Sequence, residues 1–206
     1  MMNFYRIGCW EAAPRKYPWV AGFGPLSNMP FFEAAPVFWE SKKRFWQVNP
    51  RPPGLFFDSG GREWSDVVGC GGGPPGYFVS ERLLRDIEEA GVPILRATEM
   101  PIVEIKGKRL QKLPPPRYFV LEAAPGIATA YEAMGIRIGE DGKPIWTSED
   151  VKRRPPLLFK RASWDGSHLF SFYGNMPMNV YCSQYVVDLA ERKGWTNVDF
   201  EPVECT

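Results

Sequence analysis

One pattern occurs twice in this chain and constrains its fold more than any other feature: a short apolar strand, a serine, an amphipathic helix and a glycine. The first copy is Tyr77-Phe78-Val79-Ser80 with residues 81–91, and the second is Val180-Tyr181-Cys182-Ser183 with residues 184–194. Ser80 and Ser183 stand where helices begin, because a serine hydroxyl accepts a hydrogen bond from an otherwise orphan amide of the first turn. Gly91 and Gly194 stand at matching distances beyond them, where a helix commonly ends in the left-handed region. The apolar faces share a phase: Leu83, Leu84 and Ile87 match Val186, Val187 and Ala190 at helical spacing. A strand is expected after each glycine, over 92–105 and over 195–203. Equal lengths, caps and phase predict a repeated supersecondary unit. The expected fold is therefore α+β, with two related halves, each a small, mostly antiparallel sheet carrying one packed helix. Pro114-Pro115-Pro116 is stiff and extended and marks the boundary, giving halves at 1–113 and 117–206 packed as one compact unit.

The remaining chain reads in order around these units. Residues 3–7 alternate as a strand. Residues 8–36 form a long loop rich in Pro, Gly and aromatics (Trp10, Tyr17, Trp19, Phe23, Phe31, Phe32). Residues 37–48, with Trp39 and Trp46, read as one strand or as two broken by Lys42-Lys43-Arg44, and 55–57 as a short apolar run. The tract 69–76 has neither phosphate-loop spacing nor a dinucleotide fingerprint, so Gly71-Gly72-Gly73-Pro74-Pro75 is expected to turn the backbone sharply. Residues 102–110 read as a strand with a basic end, 117–122 as a new strand and 127–134 as a helical turn or two. A turn follows at 139–143, then a helix start at 147–150 that Pro155-Pro156 breaks. Residues 157–160 and 169–172 read as a hairpin or strand pair around Trp164-Asp165-Gly166. Glu-Ala-Ala-Pro recurs at 11–14, 33–36 and 122–125, with no physical account beyond proline ending each segment.

Several functional classes lose support from the residues alone. A net charge of +1 provides no field for nucleic acid or an anionic membrane, and the basic clusters Lys42-Lys43-Arg44 and Lys152-Arg153-Arg154 have acidic neighbours. There is no run of apolar residues long enough to span a bilayer, and residues 1–7 lack the features of a secretion signal. Cys9, Cys70, Cys182 and Cys205 lie far apart without a C-x-x-C pair, so no metal or cofactor is expected, and reduced thiols in the cytoplasm fit best. His168 is the sole histidine and would have to serve alone in any Ser-His or Cys-His scheme. Cys70 has nothing nearby in sequence to lower its pKa. Glu81, Asp86, Glu88 and Glu89 read as the wet face of a helix. The chain is therefore expected not to be an enzyme.

Recognition of another macromolecule is the reading that remains. Trp64-Ser65-Asp66 and Trp164-Asp165-Gly166 precede the two strand–helix units, each with an indole beside a carboxylate. Trp64, Asp66, Trp164 and Asp165 are thus the candidate partner-binding residues, since tryptophan supplies large contact area at low entropic cost. The competing reading is that the indoles fill the core. A small enzyme or ligand-binding module with a pocket between the halves is the alternative function. Stacking of nucleic-acid bases on the aromatics is third, and the near-neutral charge opposes it.

The run from Trp64 to Arg82, then Lys108 to Tyr118 with its Leu113-Pro114-Pro115-Pro116, resembles bacterial immunity proteins of the double-CxxCG type, which protect against toxins of the swarming-inhibition (Sit) systems. The C-terminal Cys182-Ser183 and the ending Gly194-Trp195-Thr196-Asn197-Val198-Asp199-Phe200-Glu201-Pro202-Val203 resemble this group and related polymorphic-toxin immunity families. The resemblance covers roughly residues 64–118 and 180–204 and implies a chain that binds a cognate toxin and blocks it stoichiometrically. The cysteine pairs that give the group its name are missing, so the zinc of that family is not implied here.

Overall fold

The structure, a computed structural model, describes residues 3–9, 16–18, 20–24, 54–58, 60–69, 77–145, 147–153, 155–172 and 179–206. The segment 37–48, the tract 70–76 with Cys70, the first two Glu-Ala-Ala-Pro copies, and Trp10, Trp19, Phe31 and Phe32 lie outside the described residues.

The described chain is mixed α+β, with strands dominating. In order these are β1 (Phe4–Cys9), β2 (Val20–Gly24), β3 (Gly54–Phe57), β4 (Val67–Gly69), β5 (Tyr77–Ser80), helix α1 (Glu81–Glu89), β6 (Arg96–Met100), β7 (Ile102–Ile105), β8 (Tyr118–Glu122) and β9 (Pro125–Thr129). There follow β10 (Arg137–Ile138), β11 (Pro144–Ile145), α2 (Ser148–Arg153), β12 (Leu158–Lys160), β13 (Leu169–Phe172), β14 (Tyr181–Ser183), α3 (Gln184–Lys193) and β15 (Val198–Cys205).

Both strand–helix units form as the sequence predicts, and their strands are placed alike. β5 lies between antiparallel β4 and β8, and β14 lies between antiparallel β1 and β13. Ser80 accepts from the Leu83 amide at 3.2 Å and so caps α1. Gly91 and Gly194 have φ of +69° and +62°, the left-handed conformation that costs glycine no Cβ clash. Ser183 departs from the expectation. It holds the cap position of α3, but its side chain makes no cap hydrogen bond and turns to His168 instead.

The sheets differ from two separate halves. β1, β14, β13, β9, β12 and β15 close into a six-stranded barrel, while β4, β5, β8 and β6 form a second sheet and β2, β3 and β7 a third. The first strand of the chain therefore pairs with β14 and β15 near its end. β8, beyond Pro114-Pro115-Pro116, belongs to the sheet of β4, β5 and β6, so the strand pairings cross the expected boundary. The period-two pattern fills the barrel on one face and packs its wall on the other. Phe4, Ile127, Phe159, Phe170 and Tyr181 occupy the interior, with the Phe4 and Phe170 rings 5.6 Å apart and the Phe159 and Tyr181 rings 5.2 Å apart. Ile7, Leu169 and Cys182 join α1, α3, Val67, Val79, Phe119 and Leu121 in the second core. The barrel lumen is thus packed with rings, as small barrels are.

Several local expectations are corrected. Residues 20–24, expected within a long loop, are strand β2, paired antiparallel with β3. The strand expected over 102–110 ends at Ile105, and Leu110–Lys112 is a 3-10 turn. Asp86, expected on the wet face of α1, is buried. Residues 92–105 are two strands, because Pro101 lacks the amide a continuous ladder needs, and β6 and β7 enter different sheets. Residues 125–129 are strand β9, with Ile127 fully buried in the barrel; the turn begins only after Ala130. Residues 158–160 and 169–172 do not pair with each other, since β9 lies between them. Among the described residues no helix is long and apolar enough to cross a membrane.

Candidate functional site

The two units meet at Asp66, in the turn leading into β4. Its side chain is 6% exposed and lies where α1 begins and the turn after α3 ends. Ser80 Oγ donates to Asp66 Oδ1 at 2.8 Å and Arg82 Nε at 2.9 Å. The Thr196 amide donates to Oδ2 at 2.8 Å and its hydroxyl at 2.9 Å, with Arg82 Nη2 on the same oxygen. Burial alone would raise this carboxyl, but hydrogen bonds from Arg82, Thr196 and Ser80 outweigh it and hold its pKa below the usual range. Arg82 continues to the Lys193 and Gly194 carbonyls at 3.1 Å each, satisfying the end of α3. A second link lies one turn along α1. Asp86 accepts from Trp195 Nε1 at 2.9 Å and pairs with Lys193 at 2.9 Å. Asn197, at φ +58°, donates to the Val67 carbonyl at 2.7 Å and closes the edge of β4.

The candidate residues are placed as follows. The Asp66 carboxylate is taken up entirely by internal donors. Trp64, two residues earlier, is half-buried, with its ring 5.2 Å from Phe57 and 6.3 Å from Tyr118. Its indole N–H is buried, with no acceptor among the described residues. Trp164 is half-buried at one end of the barrel, 5.3 Å edge-on from Phe4, and its Nε1 donates to the Ser167 carbonyl at 2.9 Å. Asp165 is exposed, and its Oδ1 accepts from the Ser167 amide and hydroxyl at 2.9 and 2.6 Å. Each pair thus keeps an indole packed against aromatic neighbours, with Trp164 beside Phe4 and Trp64 beside Phe57. Arg82 and Thr196, which complete the Asp66 junction, carry no local motif. They lie 16 and 130 residues from Asp66, a juxtaposition no pattern in the sequence announces.

His168 and Ser183 do come together. Nδ1 and Oγ share a hydrogen bond of 2.9 Å, and the imidazole stacks on Tyr185 at 4.4 Å. Ser183 is fully buried, so this hydroxyl has no approach for a substrate in the described structure; the pair ties β13 to the start of α3. Cys182 is likewise fully buried, and burial pushes its thiol far above the ordinary cysteine value, away from the reactive thiolate. Among the described residues no group of three or more His, Cys, Asp or Glu side chains could hold a metal ion. No protein-family model matches the chain, and no curated protein matches it.

Proposed function

We propose that this chain is an immunity protein that binds a cognate bacterial toxin and neutralises it by stoichiometric occupation, without turnover. One observation carries the reading. The stretches that resemble toxin-immunity proteins, 64–118 and 180–204, are remote in sequence but contribute to a single core, in which Val67, Val79, Leu83 and Ile87 pack with Val186, Leu189 and Trp195. Asp66 and Asp86 then join them by hydrogen bonds. The resemblance is therefore spread over one packed unit rather than over scattered surface words. The two strand–helix–strand units are read here as related copies, on the strength of matching strand neighbours and glycine stops.

On this reading Asp165 and the exposed edge of Trp164 meet the toxin, while Trp64 and Asp66 hold the packed unit together from within. Protection would be exerted in the cytoplasm, where the toxin acts. The test is co-expression of the chain with toxins encoded beside it. Protection of the cell and recovery of a one-to-one complex are expected; failure to protect against, or co-purify with, any of them removes the reading.

A further inference from the structure

We propose that the turn between β7 and β8 is a docking site for an acidic segment of a protein partner. It rests on the reading above only in taking the partner to be a protein.

Lys106, Lys108, Arg109 and Lys112 fall within seven consecutive residues, all exposed, and the sequence holds no acid between Glu104 and Glu122. Among the described residues none of these four side chains makes a hydrogen bond or an ion pair. Elsewhere Arg82, Arg117, Arg153 and Lys193 each meet a carboxylate within the chain. The four free cations sit on a rigid support. Leu110 is fully buried and anchors a 3-10 turn at Leu110–Lys112. The amides of Gln111, Lys112 and Leu113 donate to the carbonyls of Gly107, Arg109 and Leu110 at 3.0, 3.1 and 3.0 Å. The Gln111 side chain donates to the Ile105 carbonyl at 2.6 Å, and the Lys106 amide to Phe57 at 3.2 Å. Like charges are thus held together by the fold without internal compensation, an arrangement that costs repulsion and that an external anion relieves.

The chemistry of the surface selects the class of anion. Leu113, 39% exposed, adjoins the cations and offers an apolar contact, while no aromatic side chain in the turn could stack a base. The four cations belong to a chain with net charge of only +1, so the basic surface is confined to this turn and is too short to follow an extended phosphate backbone. A short carboxylate-rich peptide with one aliphatic residue satisfies both the charge and Leu113, and the opposed charges also orient its approach.

The experiment measures anisotropy of a fluorescein-labelled peptide of repeated Asp-Glu with one central leucine, titrated with the full chain. Binding is expected at an ionic strength of about 0.01 M and weakening by about 0.15 M. The double variant Lys108→Glu/Arg109→Glu should bind at least about tenfold more weakly, with a melting temperature no lower than wild type, because neither side chain has an internal partner among the described residues and the reversal relieves like-charge repulsion. Arg85→Glu/Lys152→Glu, exposed cations elsewhere, should bind as wild type does. Equal binding by wild type and the double variant, equal loss in the control, or tighter binding of a single-stranded RNA oligonucleotide overturns the inference. In toxin-challenged cells the two readings separate. A double variant that protects fully leaves immunity standing and removes the turn from it. A wild-type chain that fails to protect, yet binds the peptide through this turn, removes immunity and leaves the docking site.

Discussion

Asp66 illustrates how one carboxylate can decide an architecture. A buried charge is tolerated only when its acceptor sites are filled, and here Ser80 and Arg82 at the start of α1 and Thr196 after α3 fill them. Asp66→Ala should lower unfolding free energy by on the order of 3 kcal/mol, read from urea melts, because the Ser80 and Thr196 donors lose their acceptor. Since the carboxyl is held below its usual pKa, its contribution is present above about pH 4 and is lost as pH falls through the lower folded value. Glu122 behaves oppositely. It is 3% exposed, its Oε1 has no hydrogen-bond partner among the described residues, and burial raises its pKa despite Arg96 across the strand pair. The folded state binds its proton more tightly than the unfolded chain, so stability falls as pH rises from about 4.3 to the folded value. Glu122→Gln should therefore be more stable than wild type near pH 8 and match it near pH 4 in thermal melts. Equal curves at both would show that the carboxyl is not penalised.

At the scale of the element, the strand–serine–helix–glycine unit was legible from residue types, because capping and helical phase are local properties. What each serine does was not. Ser80 caps α1, whereas Ser183 meets His168, a partner that only the neighbouring β13 brings within 2.9 Å. The break between β6 and β7 was written in Pro101, yet residues 92–105 read as one strand, since a proline also tolerates an edge. β9 was misread as helical because Ile127, Ala128 and Thr129 carry no period that distinguishes a barrel strand. Gly54 marks a place where an element is fixed by close approach. It has φ +125°, and an added Cβ would run into the Pro101 carbonyl that accepts from the Leu55 amide at 2.8 Å. Gly54→Ala should cost about 2 kcal/mol or more, a fall in melting temperature on the order of 5 °C, with β3–β7 pairing lost first in hydrogen exchange.

For the whole molecule, the decisive contacts join its ends. β1 is the one barrel strand from the N-terminal part of the chain and bridges β14 and β15, so the described 117–206 region lacks a strand needed for closure. A fragment of residues 117–206 should remain unfolded by circular dichroism and gain structure when the fragment 1–113 is added; independent cooperative folding of 117–206 would contradict this dependence. The sequence by itself determined the mixed α+β class, both helices, the serine cap of α1 and the glycine stops, because each follows from interactions spanning a few residues, whereas Asp86, expected on the wet face of α1, is buried against Trp195. It also marked the indole–carboxylate pairs, but not their surroundings. Only the tertiary structure decided that six strands close into a ring-filled barrel, that Asp66 turns inward while Asp165 stays in water, and that four cations share one uncompensated turn. Strand partners, burial and ion pairing are set by residues tens to hundreds of positions apart, and no local propensity encodes such distances.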